Sequence, residues 1–154
     1  MRNVIWWLVY AAAAIWAQKL VPGIDFLLPG LIIALQEERP IQTFWIIICF
    51  SLIQEGSGTM SFGPAVGQYL GAAVLVQAGR WLFEARNISF VLLLSAGLGL
   101  THFGMISVMA MLQDISLIQS RLMHESIIQA LVIPPCWLLV MQARKRFAPD
   151  ESPA

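Results

Sequence analysis

The chain is expected to fold as an all-α membrane protein, a bundle of about six short transmembrane helices with the N-terminus and the C-terminus both cytoplasmic. Composition is the first ground. Hydrophobic residues make up 58% of the 154 and charged residues only 12%, too apolar a balance for an ordinary soluble domain of that length. Segmentation is the second, because apolar runs recur between charged or Pro/Gly breaks at 4–21, 26–36, 41–54, 62–83, 88–112 and 123–142. The third is where the basic residues fall. Assigned to alternate sides, Arg2, Arg39, Arg80, Arg86, Arg144, Lys145 and Arg146 share one face of the membrane, and Lys19 and Arg121 lie on the other. The positive-inside rule makes the richer face cytoplasmic.

The first run follows Arg2 and contains the alanines 11–14, as a secretory signal would. It continues to Val21, however, and approaches the length of a bilayer span, so a retained helix is the preferred reading. The second and third runs are short, at most roughly 21 Å of helix against a hydrocarbon core of roughly 30 Å. They either cross a locally thinned bilayer or form a re-entrant hairpin with Glu37, Glu38, Arg39 and Pro40 at its tip. Charges at that tip favour a crossing, and the topology of the other segments is the same in both cases. The fourth and fifth runs are separated by a break at Glu84, Arg86 and Asn87. Between Asp114 and Arg121 the residues Ile115, Leu117, Ile118 and Leu122 alternate with polar ones, which fits a short interfacial helix or a plain loop. A single transmembrane helical domain is thus expected over 1–147, followed by a disordered cytoplasmic tail at 148–154 that has too few apolar residues to order itself.

Nine basic and nine acidic residues cancel, so no net field points to nucleic acid. The two cysteines, Cys49 and Cys136, each sit in an apolar run and read as small buried residues rather than as a disulfide or metal ligands. Gly63, Gly67 and Gly71 recur every four residues and form a stripe where a neighbouring helix backbone can approach, either inside the chain or from a partner. Ala13 and Ala17 form a similar pair in the first segment, and Gly97, Gly99 and Gly104 extend the theme in the fifth. His102 lies near the middle of its segment and needs a partner at that depth, which marks it as a buried polar or functional residue. Glu55 opens a Gly/Ser-rich turn on the outer side; that turn lacks the following Lys-Ser/Thr of a phosphate loop. Among the six tryptophans, Trp6, Trp7 and Trp81 lie near segment ends, as lipid-interface anchors do. Few polar groups converge from the outer loops beyond Glu55, Ser57, Thr59 and Gln113. No Ser-His-Asp, HExxH or paired-carboxylate pattern occurs, so no catalytic, cofactor-binding or metal residue is assigned and enzyme chemistry is not expected.

Several short motifs taken together resemble the MreD family of bacterial rod-shape proteins. These are Ile24-Asp25-Phe26-Leu27-Leu28-Pro29 after a long first span, then Arg39-Pro40, then the acidic residue and Gly/Ser turn from Gln54 and Glu55 to Gly63. The last span, with Ile133-Pro134-Pro135-Cys136-Trp137 before Arg144-Lys145-Arg146, is similar too. The family usually has Asp in place of Glu55, and often Pro where Ile24 stands. The resemblance implies a non-enzymatic scaffold of the cell-shape and elongation machinery in the bacterial cytoplasmic (inner) membrane. Its implied partners are an MreC-like membrane protein and peptidoglycan-synthesis proteins. A second resemblance is to the substrate-binding membrane subunits of energy-coupling-factor vitamin transporters, in which a first-helix alanine pair like Ala13 and Ala17 meets the coupling subunit.

Overall fold

The computed structural model describes residues 2–57, 63–81, 87–116 and 118–147. Six helices and no strand occur among them: α1 (Arg2–Leu20), α2 (Leu28–Gln36), α3 (Pro40–Ser57), α4 (Pro64–Gly79), α5 (Ile88–Leu112) and α6 (Gln119–Phe147). Arg86, Leu117, the residues 58–62 of the Gly/Ser turn and the tail 148–154 lie outside the described residues. Several starts have a local cause. Pro40 and Pro64 open α3 and α4 and Pro29 lies in the first turn of α2, where a missing N–H costs nothing. Asn87 caps α5, its side chain accepting from the N–H of Ser89 at 2.9 Å. Among the described residues after Asp114, positions 115, 116 and 118 are not helical, and those from Gln119 onward belong to α6. Helix α6 then runs through Pro134 and Pro135, which forgo two of its internal hydrogen bonds.

Successive helices run up and down, and both ends of the chain meet at one end of the bundle, where the Arg2 guanidinium donates to the Phe147 carbonyl at 3.3 Å. Helices α5 and α6 are long and apolar enough to cross a membrane, at 25 and 29 residues. Large apolar side chains are exposed on every long helix: Leu8, Trp16, Phe44, Val74, Leu93, Leu100 and Leu131 are all more than half exposed.

Helix α2 occupies the centre and packs against α3, α4 and α6. Eight of its nine residues are buried, as expected of a helix that is hydrophobic on every side. Its length of about 13 Å is supplemented by the non-helical lead-in from Ile24 to Leu27, and the α2–α3 turn reaches the end that holds the chain termini. There Glu37 meets Arg144, and Arg80 lies 3.4 Å from Glu38.

A buried helix must have its terminal backbone groups satisfied by other parts of the protein. At the start of α2 the Asp25 carboxylate accepts the N–H groups of Leu27, at 2.8 Å, and of Leu28. The Tyr10 hydroxyl takes the Gly30 N–H at 2.8 Å and donates to the Phe26 carbonyl at 2.6 Å. Only glycine fits at position 30, because the Tyr10 ring occupies the space of a Cβ. At the other end the Leu35 carbonyl accepts from Arg80 at 2.7 Å, the Ala34 carbonyl from the Thr43 hydroxyl at 3.0 Å, and the Gln36 side chain from the Trp137 indole at 2.9 Å. At the C-terminus of α2, Arg80 and Arg144 offset the charges of Glu38 and Glu37, which would otherwise oppose the helix dipole.

One closed polar network ties α1, α3 and α6 to the end of α2. Arg144 and Glu37 are each 7% exposed and paired through two hydrogen bonds. Arg144 also donates to Asn3 at 2.7 Å, Asn3 to Gln42 at 2.6 Å, and Gln42 back to Glu37 at 2.8 Å. The Arg144 guanidinium lies 4.8 Å from the centre of the Trp7 ring. Trp7 is therefore a buried part of this network, not an interface anchor, whereas Trp81 is 88% exposed. Cys49 is exposed and Cys136 half-buried, so the expected burial of the two thiols is corrected.

Replacing Arg144 with Leu leaves the Glu37 carboxylate buried without its cation, and a loss of about 3–5 kcal/mol in unfolding free energy is expected. Combining it with Glu37→Leu should recover most of that loss in a denaturant titration; equal losses in the single and double variants would contradict this account.

Candidate functional site

At the end of the bundle away from the chain termini, the helices do not close. A cavity of about 600 Å³ opens there between the ends of α1 and α3, the lead-in to α2, the start of α4, the C-terminal half of α5 and the start of α6. Its walls carry three carboxylates (Asp25, Glu55, Glu125), three amides (Gln18, Gln54, Gln68), His102, and the bases Lys19 and Arg121, with Ile15, Ile24, Met105 and Ile106 between them. Of these polar groups only Asp25 comes from a connecting segment; the others are carried by helices. Gln18, Gln68 and His102 come from within apolar helices, and only the packing brings them together.

Asp25 is the most elaborately held of these groups. One carboxylate oxygen accepts from Gln18 at 3.1 Å and from the Leu27 N–H; the other accepts from the Tyr69 hydroxyl at 2.7 Å. Its backbone is clamped as well: its N–H donates to the Gln129 amide oxygen at 2.7 Å, and the Gln129 amide nitrogen donates to its carbonyl at 3.1 Å. Gln18 extends the chain to Gln54 at 3.0 Å. Burial pushes the Asp25 carboxyl above the usual carboxylate range, and the hydrogen bonds from Tyr69, Leu27, Leu28 and Gln18 pull it partly back.

Glu55 has a definite structural task. One of its oxygens accepts the N–H groups of Gly63, Ala65 and Val66, at 3.0, 2.9 and 3.3 Å. It thus caps α4, whose N-cap Gly63 has no side chain to do so and sits at φ 141°. His102 is half-buried in the cavity wall, which Glu125 also lines; Glu125 in turn pairs with Arg121 at 2.8 Å. Gln68 is 4% exposed and donates to the Leu98 carbonyl at 3.1 Å, while its amide oxygen has no hydrogen-bond partner.

The glycine stripe lies on α4 and is filled from within the chain. A Cβ on Gly63 would meet Met109 at 3.2 Å, one on Gly67 would overlap the end of Met105, and one on Gly71 would rest against Thr101 at 3.7 Å. These positions on α5 have the same four-residue spacing, read in the opposite direction, so the stripe is an internal α4–α5 contact and is not open to a partner. Gly99 is tighter still, since a Cβ there would come within 2.9 Å of the Ser126 carbonyl of α6. On α1, Ala13 is exposed and Ala17 half-buried, the buried alanine being Ala14.

Among the residues that sequence reasoning missed are Gln18, Gln68, Tyr69 and Gln129. Their signal was an amide or phenol inside an apolar run, which needs a partner at that depth just as His102 does. No known protein family, characterised protein or solved structure gives a match to this chain.

Two predictions follow from this geometry. Alanine substitution should be worst tolerated at Gly99, with a loss of about 1–3 kcal/mol because backbone lies in the way. It should be milder at Gly67, where the Met105 methyl can move, and neutral or stabilising at Gly71; unfolding of the three variants in one detergent tests the order. For Asp25, a carboxyl whose folded pKa lies above its unfolded one favours the protonated state. Its contribution is thus fully present below the ordinary carboxylate pKa and is lost as pH rises through the raised value. Thermal unfolding from about pH 4 to 8 should show wild type losing stability relative to Asp25→Asn as pH rises, and a pH-independent difference would remove the titration role.

Proposed function

We propose that this chain is a multi-pass protein of the bacterial cytoplasmic membrane, with both termini cytoplasmic, that acts as a non-enzymatic scaffold of the MreD kind. Its partners in this reading are an MreC-like membrane protein and wall-synthesis proteins of the elongation complex. Orientation is supported by the sorting of basic residues: Arg2, Arg80 and Arg144 gather at the end with the chain termini, and Lys19 and Arg121 stand at the cavity end.

The observation that carries the scaffold reading is the position of α1. It is held to the bundle through Trp7, Tyr10 and Ala14, while Val4, Ile5, Leu8, Val9, Trp16 and Leu20 are exposed along its outer side. In a bilayer such a flank offers a continuous surface to another helix, where packing and not the hydrophobic effect decides association. The sequence resemblance supplies the partner's identity.

The cavity favours a second reading, a substrate-binding subunit of the energy-coupling-factor type. Ala13, exposed on α1, would then face the coupling subunit. A photo-crosslinking amino acid at position 8 or 16, introduced in cells of the source organism, separates the two. Cross-links to a single-span MreC-like protein are expected; cross-links to an ATPase-bound coupling subunit would transfer the assignment to the second reading, and cross-links to lipid alone would remove both.

A further inference from the structure

At the end of the bundle that holds the chain termini, the cations outnumber the carboxylates. Both glutamates of the α2–α3 turn are already matched, Glu37 by Arg144 and Glu38 by Arg80. Arg2, Lys145 and Arg146 are exposed, and among the described residues none of the three pairs with a carboxylate. Packing brings two of them, from opposite ends of the sequence, onto one aromatic ring. Arg2 donates from one nitrogen to the Phe147 carbonyl at 3.3 Å, Trp6 stacks on the Phe147 ring with centres 6.5 Å apart, and the Arg146 guanidinium lies 5.9 Å over that ring. The remaining N–H donors of the two guanidinium forks are left for an acceptor from outside the chain. Beside this pair the boundary between α1 and α6 is apolar and partly open. Val9 and Ala13, both exposed, follow Arg2 and Trp6 down one side of α1 at helical spacing; Ala143 and Leu139 follow Phe147 down α6, and Leu139 is 66% exposed.

We propose that Arg2 and Arg146 together bind the phosphodiester of an anionic phospholipid from the leaflet facing this end, with its acyl chains along the furrow between α1 and α6. Two planar guanidinium forks above an apolar furrow match a molecule in which a phosphate is joined to hydrocarbon chains. The absence of a carboxylate beside either arginine selects a lipid with net negative charge, since the cationic headgroup of a zwitterionic lipid would meet only cations there. A lipid held in this way fastens the first helix to the last. The inference rests on the membrane setting of the proposed function and on neither of its two partner readings.

The test uses the full chain in a neutral detergent, titrated with phosphatidylglycerol or phosphatidylcholine, the lipid-bound forms being counted by native mass spectrometry. Recovery of the chain from the membrane fraction, and only with detergent, checks the membrane setting separately. The first phosphatidylglycerol should bind at least about tenfold more tightly than the first phosphatidylcholine, the equivalent of one charge-assisted hydrogen bond. Arg2→Gln and Arg146→Gln, both at exposed positions, should each lower that preference, and the double variant should abolish it. Lys145→Gln removes the same charge one residue away, and Arg121→Gln removes it at the cavity end; both should keep the preference. Equal affinities of the wild type for the two lipids would overturn the proposal, whatever the variants do. So would an equal fall in Lys145→Gln and Arg146→Gln, which would mean diffuse attraction with no site. Displacement of phosphatidylglycerol by inorganic phosphate at the same concentration would make a soluble anion the occupant and would overturn the assignment to lipid.

Discussion

The structure depends on one constraint: a nine-residue helix is enclosed at the centre of the bundle and must have every polar group at its two ends satisfied by protein. An unpaired backbone group in a dry apolar setting costs on the order of several kcal/mol, and neither water nor lipid can relieve it there. Each neighbouring element contributes a group to this requirement. Helix α1 supplies Tyr10, the lead-in to α2 supplies Asp25, α3 supplies Thr43, α6 supplies Trp137 and Arg144, and Arg80 reaches in from the end of α4. The polar residues of an otherwise apolar chain are thus concentrated where α2 begins and ends.

The two ends differ because α2 is shorter than the helices around it. At the end with the chain termini, the α2–α3 turn brings Glu37 and Glu38 up to Arg144 and Arg80, and the network with Asn3 and Gln42 closes the bundle. At the opposite end the helix is replaced by a non-helical lead-in, which is narrower than the roughly 10 Å diameter of a helix. The space left over is the cavity. Its polarity follows from the same cause, since Asp25 must be present to cap α2 and then needs Tyr69, Gln18 and Gln129 around it. A structural requirement and the lining of the cavity therefore share residues.

Close approach of backbones explains how the outer helices hold their places around α2. Gly67 and Gly71 admit Met105 and Thr101 of α5, and Gly99 admits the backbone of α6 near Ser126. In a lipid setting, where apolar side chains gain little from avoiding the solvent, such dispersion contacts carry much of the association between helices.

From the sequence alone one could read an all-α chain, the extent of α5 to the residue, the presence of a helix in every apolar run, and the division of basic residues between two ends. Those features follow from apolar run length and from charge placement, which are local or additive properties of the chain. Tertiary structure alone decided that the second run is the core and not a lipid-facing span, because burial on all sides depends on neighbours distant in sequence. It also decided that the glycine stripe faces α5, that Glu55 caps α4, and that Gln18, Asp25, Gln68 and Glu125 line one cavity. An isolated Gln or Asp in an apolar run announces that it needs a partner; which residue answers it, here Gln129 to Asp25 across 104 positions, is a matter of packing that no local pattern encodes.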